Sequence, residues 1–258
     1  MQTGIADYLE IMRLAGVSEL RKHARSAVLD AQKTPSAKPE RQNMSPANDP
    51  PNKIDPPAPN TPAEQSPGIV LSGKAGELQR LAREVAQCTL CKDLATSRTQ
   101  TVFGSGNPDS PLVFIGEAPG MDEDKHGKPF VGRAGQLLTD IIEKGMKMRR
   151  EDVYICNVLR CRPPGNRNPL PDEAAHCRPF LDRTLDIIGP KFICCLGAIA
   201  AKNLLASEKT IGALRGQVWD YHGIRVVCTY HPAYLLRNPA AKKDTWDDIR
   251  LLLREMEG

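Results

Sequence analysis

The chain has 258 residues, with 35 Lys and Arg against 31 Asp and Glu, a formal net charge of +4 that is too modest to name a class of partner. No apolar run approaches the length needed to span a membrane. The amino terminus lacks a basic segment leading into an apolar one, so no secretory signal is expected, and the eight cysteines are read as those of a reducing cytoplasm, not of a disulfide framework. Residues 4–31 have helical character, with Ile5, Tyr8, Leu9, Met12, Leu14 and Leu20 recurring at three- and four-residue steps. Residues 34–72 hold ten of the 22 prolines and no aromatic residue, so they are expected to stay disordered because they can bury little apolar surface. The reading is a helical extension over 1–33, a proline-rich linker over 34–72 and one domain over 73–258. Within that domain a helix is expected over 75–85, a strand over 112–116 and a helix over 133–147. A strand follows over 153–159, then a helix over 171–188 that opens on Pro171-Asp172-Glu173 as a helix start should. A strand over 192–196 and a helix over 198–205 come next, then a hairpin of 217–221 and 224–229 around His222-Gly223, and a last helix over 240–256. Strands alternating with helices predict a three-layer αβα fold with a mainly parallel central sheet.

Two loops stand out in this frame. Gly116-Glu117-Ala118-Pro119-Gly120 and Tyr230-His231-Pro232-Ala233-Tyr234 each follow a short apolar strand. In an open α/β sheet the loops after parallel strands converge on one crevice, where ligands bind. A carboxylate loop facing a histidine loop is therefore a candidate active site, although Gly and Pro also punctuate strand ends that have no such role. Lys128, Arg133, Arg160, Arg162, Arg167 and Arg237 lie in or beside loops that follow strands. That placement suits a phosphate backbone and fits an ordinary solvated surface equally well.

Four cysteines form a second pattern. Cys88 and Cys91 make a C-x2-C pair, and Cys161 and Cys177 follow with fifteen residues between them. Zinc and iron–sulfur clusters both accept four cysteines, and the spacing alone favours structural zinc. Cys156, Cys194, Cys195 and Cys228 sit in apolar runs and are expected in the core.

Taken in order, the GEAPG loop at 116–120, GKPFVGRAG at 127–135, NVLRCRPPGNR at 157–167 and YHPAYLLR at 230–237, together with the four cysteines, resemble the iron–sulfur (type 4) uracil-DNA glycosylases. The similarity runs from about residue 78 to 253. It implies a uracil-DNA glycosylase-like fold and a monofunctional enzyme of base-excision repair, acting on uracil-containing DNA and leaving an abasic site. It also replaces zinc by a [4Fe–4S] cluster held by Cys88, Cys91, Cys161 and Cys177. A related branch carries a KRRIH insertion whose histidine bonds covalently to the sugar; residues 162–169 lack it, so turnover is expected.

The chemistry of such an enzyme assigns roles. A uracil must be flipped out of the duplex into a pocket and read there by stacking and hydrogen bonds. Phe130 is the expected stacking face, with Gly116 and Ala118 in the pocket. The Asn157 carboxamide can donate to uracil O4 and accept from N3–H, a pattern that cytosine reverses. His231 is expected to donate to uracil O2 as negative charge develops there. Glu117 is assigned to the site without a specified task, since Ala118 stands where another branch of the superfamily carries a catalytic aspartate. Asn166 is a candidate for water or phosphate contact, and Glu123 for excluding the thymine methyl group. A monomer is expected, with the N-terminal helix as a docking segment for a repair or replication protein. Two other readings stand beside this one: a non-catalytic DNA- or partner-binding module, and a zinc-stabilised hydrolase using Glu117 and His231.

Overall fold

The computed structural model describes residues 72–258. The extension and linker read over residues 1–71 lie outside the described residues. The described part is built on a six-stranded sheet: β1 Ser105–Gly106, β2 Leu112–Gly116, β3 Tyr154–Asn157, β4 Phe192–Leu196, β5 Val218–Tyr221 and β6 Ile224–Thr229. The spatial order is β1-β3-β2-β4-β6-β5, with the inner four strands parallel and both edge strands antiparallel.

Alternation along the strands decides which side chains serve which layer. Val113 and Ile115 of β2 and Ile193 and Cys195 of β4 point to one face, where they meet Leu78, Leu181, Leu185 and Leu204. Leu112, Phe114, Phe192 and Cys194 point to the other, against Leu138, Ile142, Ile249 and Leu252. The first face is covered by helices α1 Gly73–Ala86, α5 Pro171–Ile188 and α6 Ala198–Leu205, and the second by α4 Arg133–Asp140 and α9 Lys242–Glu257. A parallel sheet buried on both faces needs strands that are apolar throughout, and β2 and β4 are buried at every position. Cys156, Cys194, Cys195 and Cys228 are all buried here.

Four short helices complete the fold: α2 Lys92–Ser97, α3 Met121–His126, α7 Ile211–Leu214 and α8 Pro232–Arg237. The helix expected over 133–147 is shorter as an α-helix, ending at Asp140 and continuing as one π turn over Ile141–Gly145. The hairpin turns at His222 and Gly223, both with positive φ (52° and 81°), as a two-residue turn between twisted strands requires.

Candidate active site

The loops after β2, β3 and β6 meet at the carboxyl ends of the parallel strands and enclose a cleft of about 400 Å³. Glu117, Ala118, Glu123, Phe130, Asn157, Asn166 and His231 all line it, although they come from four separate stretches of chain. Gly116 lies beneath the cleft, paired with Asn157 across β2 and β3. A β-carbon at Gly116 would stand 2.3 Å from Asn157 Oδ1 and 2.5 Å from Phe130 Cζ, so only glycine leaves room for both side chains. Phe130 itself has a positive φ of 54°, an uncommon conformation for a bulky residue.

His231 caps the start of α8: its Nδ1 accepts the Ala233 N–H at 3.1 Å. With Nδ1 occupied as an acceptor, the neutral ring carries its hydrogen on Nε2. Burial, reinforced by the nearby Arg237 guanidinium and opposed by Glu123, pushes the imidazole down to about 4. The ring centroid stands 5.6 Å from that of Phe130.

The remaining polar groups divide into open and occupied ones. Asn157 is 2% exposed and its Oδ1 has no hydrogen-bond partner. Burial also raises the Glu117 carboxyl above the usual carboxylate range. Glu123, by contrast, is engaged: Oε2 accepts from Gly120 N at 3.1 Å, and Oε1 from Val131 N at 2.9 Å and Gly132 N at 3.1 Å. Asn166 Oδ1 accepts from Arg162 Nε at 2.7 Å. Arg167 forms a two-pronged pair with Glu173 at 2.6 and 2.8 Å. Of the cations read as lying by a phosphate-binding cleft or on an ordinary solvated surface, Arg160 fits neither. It is fully buried, donating to Phe103 O at 2.5 Å and Thr184 Oγ1 at 3.1 Å, because the segment after β3 runs on through the interior, with Val102 N donating to Arg160 O at 2.8 Å. Arg167 and Arg237 do line the cleft.

Behind this loop lies the second pattern. Cys161 and Cys177 are buried with Leu94 and Leu159, and Cys91 and Ala118 pack against them. The thiols feel one another: burial, then Cys177, Glu173, Cys161 and Cys88, push Cys91 up to about 11. Arg98 donates to Cys161 Sγ at 2.9 Å and to the carbonyls of Ala86 and Cys88 at 3.2 and 2.9 Å. His176 Nδ1 lies 3.5 Å from Cys91 Sγ. Among the described residues, no three His, Cys, Asp or Glu side chains are drawn together in the geometry of a single-ion site.

A family model described as the uracil DNA glycosylase superfamily matches residues 103–250, more than half of the chain. A type-4 uracil-DNA glycosylase of Thermotoga maritima is 49% identical over 165 residues, covering 63% of this chain and 85% of that one. The chain belongs to the uracil-DNA glycosylase superfamily. A second type-4 enzyme, from Archaeoglobus fulgidus, is 43% identical over 181 residues, 67% of this chain and 90% of its own. A type-5 enzyme of Pyrobaculum aerophilum is 28% identical over 149 residues, 50% of this chain and 64% of its own. This glycosylase therefore stands with the type-4 branch, as its motifs imply.

Several groups at the glycosylase site carry little or no signal in the sequence. Arg98 and Arg150 act on sulfur and backbone atoms far away in the chain, and nothing in their neighbourhoods announces a contact. Tyr234, 39% exposed and stacked on Tyr230 at 5.0 Å, forms part of the cleft wall. It sits inside the histidine motif, so its place beside His231 on α8 is the one signal that points to it.

Proposed function

We propose that this uracil-DNA glycosylase holds a flipped uracil in the 400 Å³ cleft and hydrolyses its N-glycosidic bond there, leaving an abasic site in DNA. The observation that carries this reading is the buried, unpartnered Asn157 Oδ1 in a cleft that also contains a neutral histidine donor. A buried acceptor without a partner costs about 1–3 kcal/mol, and the imide N3–H of uracil supplies the missing donor while O4 takes the amide hydrogens. Cytosine has an acceptor at N3 and donors at N4, and would leave both groups unpaired.

Bond cleavage moves negative charge onto N1 and O2 of uracil and positive charge onto the sugar. His231 Nε2–H is the donor for O2. As its imidazole is neutral at pH 7, it stabilises the leaving anion by a hydrogen bond without surrendering a proton. Phe130 provides the ring against which the base stacks. Of the two carboxylates in the cleft, Glu123 is engaged by three backbone N–H groups. Glu117 remains to orient water or to offset the positive sugar.

The sulfur group fits a [4Fe–4S] cluster held by Cys88, Cys91, Cys161 and Cys177: Cys161 and Cys177 are buried, Cys91 packs against them, Cys88 is half-buried, and Arg98 supplies a cationic donor. Such a cluster would supply four iron–thiolate bonds, tying the turn between α1 and α2 to the segment after β3 through Cys161 and to α5 through Cys177. Uracil hydrolysis transfers no electrons, so the chain's own residues carry the reaction. The test is single-turnover excision from a uracil-containing oligonucleotide by the wild type and by His231→Ala, with DNA affinity measured in parallel. Excision by the wild type, with rate lost and affinity kept in the variant, supports the reading. No excision by the wild type refutes it.

A further inference from the structure

Phe130 sits in a left-handed backbone conformation that costs a bulky residue of order 1–3 kcal/mol and persists only where its surroundings over-determine it. Two side chains do so here. Arg150, from the 3₁₀ turn Arg150–Asp152 that precedes β3, donates through Nη2 to Pro129 O and to Phe130 O, both at 3.0 Å. Its Nη1 donates to Thr139 Oγ1 at 2.8 Å, and that hydroxyl donates to Gly135 O at 3.1 Å in α4. On the opposite side Glu123 Oε1 accepts from Val131 N and Gly132 N. Four consecutive residues, 129–132, thus have two carbonyls held by one cation and two N–H groups held by one anion.

The packing leaves that backbone no alternative path. A β-carbon at Gly135 would stand 1.9 Å from Phe130 O, so the first turn of α4 lies directly on the carbonyl that Arg150 holds. Arg150 is half-buried, and burial pulls its guanidinium below the usual arginine range. Its donors are directed at neutral oxygens, and among the described residues no carboxylate pairs with it. A cation held at that cost by neutral acceptors, with Glu143 offsetting only part of it, is placed for its geometry. A planar guanidinium can address two carbonyls and a hydroxyl from one fixed fork, which an ammonium does not reproduce.

We propose that Arg150, with Glu123 opposite it, is a positioning residue for uracil: it clamps the 129–132 backbone so that the Phe130 ring stands ready as the stacking face before any base arrives. This rests on the reading of Phe130 as the stacking residue. It also gives Glu123 a task different from excluding the thymine methyl group. Arg150 touches neither base nor sugar, and acts only through Phe130.

The experiment is a double-mutant cycle on the full chain with Arg150→Met, Phe130→Ala and the pair, reading inhibition by free uracil and the single-turnover excision rate. Phe130→Ala should weaken uracil inhibition roughly tenfold, the loss of one base–aromatic stack. Arg150→Met should weaken it in the same direction, with affinity for uracil-free DNA unchanged. In the pair, Arg150→Met should add nothing to Phe130→Ala, because there is no longer a ring to position. Losses that multiply would overturn the clamp, as would an Arg150→Met enzyme with wild-type uracil inhibition. If Phe130→Ala alone changes nothing, the stacking role of Phe130 is what fails. Should Arg150→Met not fold, Arg150→Lys takes its place in the same cycle, since it keeps the charge and loses the fork.

Discussion

Protonation of His231 should occur near pH 4, far below the usual histidine value of 6.5, and both stability and rate report on it. In the unfolded chain the imidazole protonates near 6.5, whereas in the folded state burial and Arg237 hold it neutral. Between those two values the unfolded state binds more protons, so stability rises with pH across the window from 4 to 6.5 and is fully present above it. At 1.36 kcal/mol per pH unit, the whole window amounts to at most about 3 kcal/mol. Urea unfolding at half-unit steps from pH 4 to 7.5 measures the slope in the wild type, and His231→Ala should remove this contribution. The same variant should lose roughly 10²–10³ in single-turnover excision, the effect of deleting one preorganised donor, with DNA affinity nearly unchanged. The wild-type rate should show no inflection from His231 near pH 6.5. An inflection there that disappears in His231→Ala would show that the imidazole titrates normally, and the neutral-donor reasoning would be wrong.

Gly116→Ala should cost stability by about 1–3 kcal/mol through overpacking and lower excision at least tenfold, because its β-carbon displaces both Asn157 and Phe130; thermal melting and single-turnover rates check the two halves. Asn157→Asp should weaken the preference for uracil, since an ionised carboxylate accepts from N3–H but cannot donate to O4; matched uracil and cytosine oligonucleotides measure the ratio. The purified protein should be brown and contain iron, and Cys161→Ser should lose iron and melt at lower temperature; stoichiometric zinc without iron after anaerobic purification would refute the cluster. Deleting residues 1–72 should leave excision and iron content intact, and a truncated enzyme inactive on a short oligonucleotide would move the domain boundary.

The sheet and its long helices were legible because their ends carry punctuation. Pro171-Asp172-Glu173 opens α5, and Gly189, with φ of 58°, closes it in a left-handed cap that only a residue without a β-carbon adopts freely. Apolar runs bounded by such signals give β2 and β4 their limits. Helices of six residues offer fewer than two turns of periodicity, so α2, α3 and α8 leave no comparable trace. Composition also misleads about the acidic run at 121–124. It reads equally well as a solvated loop, yet Glu123 and the buried Asp124 turn inward, where Asp124 accepts from Thr99 N at 2.9 Å. Arg160 fails in the opposite sense, since a cation three residues past a strand end looks like a surface charge until the segment that follows β3 carries it inside. The candidate site was legible where one motif holds both the residue and its context, as in the histidine loop. It was opaque where a contact spans the fold, as with Arg150 and residues 129–132.

The sulfur group and the cleft are not independent features placed on one scaffold. Past the end of the β2–β3 pairing the two chains stay together, with Val158 N donating to Gly116 O at 2.9 Å and Leu159 N to Glu117 O at 3.0 Å. That extension carries Asn157 into the cleft and Cys161 into the sulfur group within five residues. Ala118, the residue after Glu117, packs on the same sulfur-lined cluster from the front, and Arg98 ties Cys161 Sγ to the carbonyls of Ala86 and Cys88 from behind. The floor of the uracil pocket is therefore braced by the cysteines even though no sulfur reaches the cleft. Loosening that brace should be felt first in the 117–120 and 158–161 segments, which project beyond the sheet, and only later in β2 and β4, whose side chains are buried on both faces. A cluster held by these cysteines would act on the cleft only indirectly, by steadying the contact of Glu117 with Leu159 just where the ladder of the sheet ends.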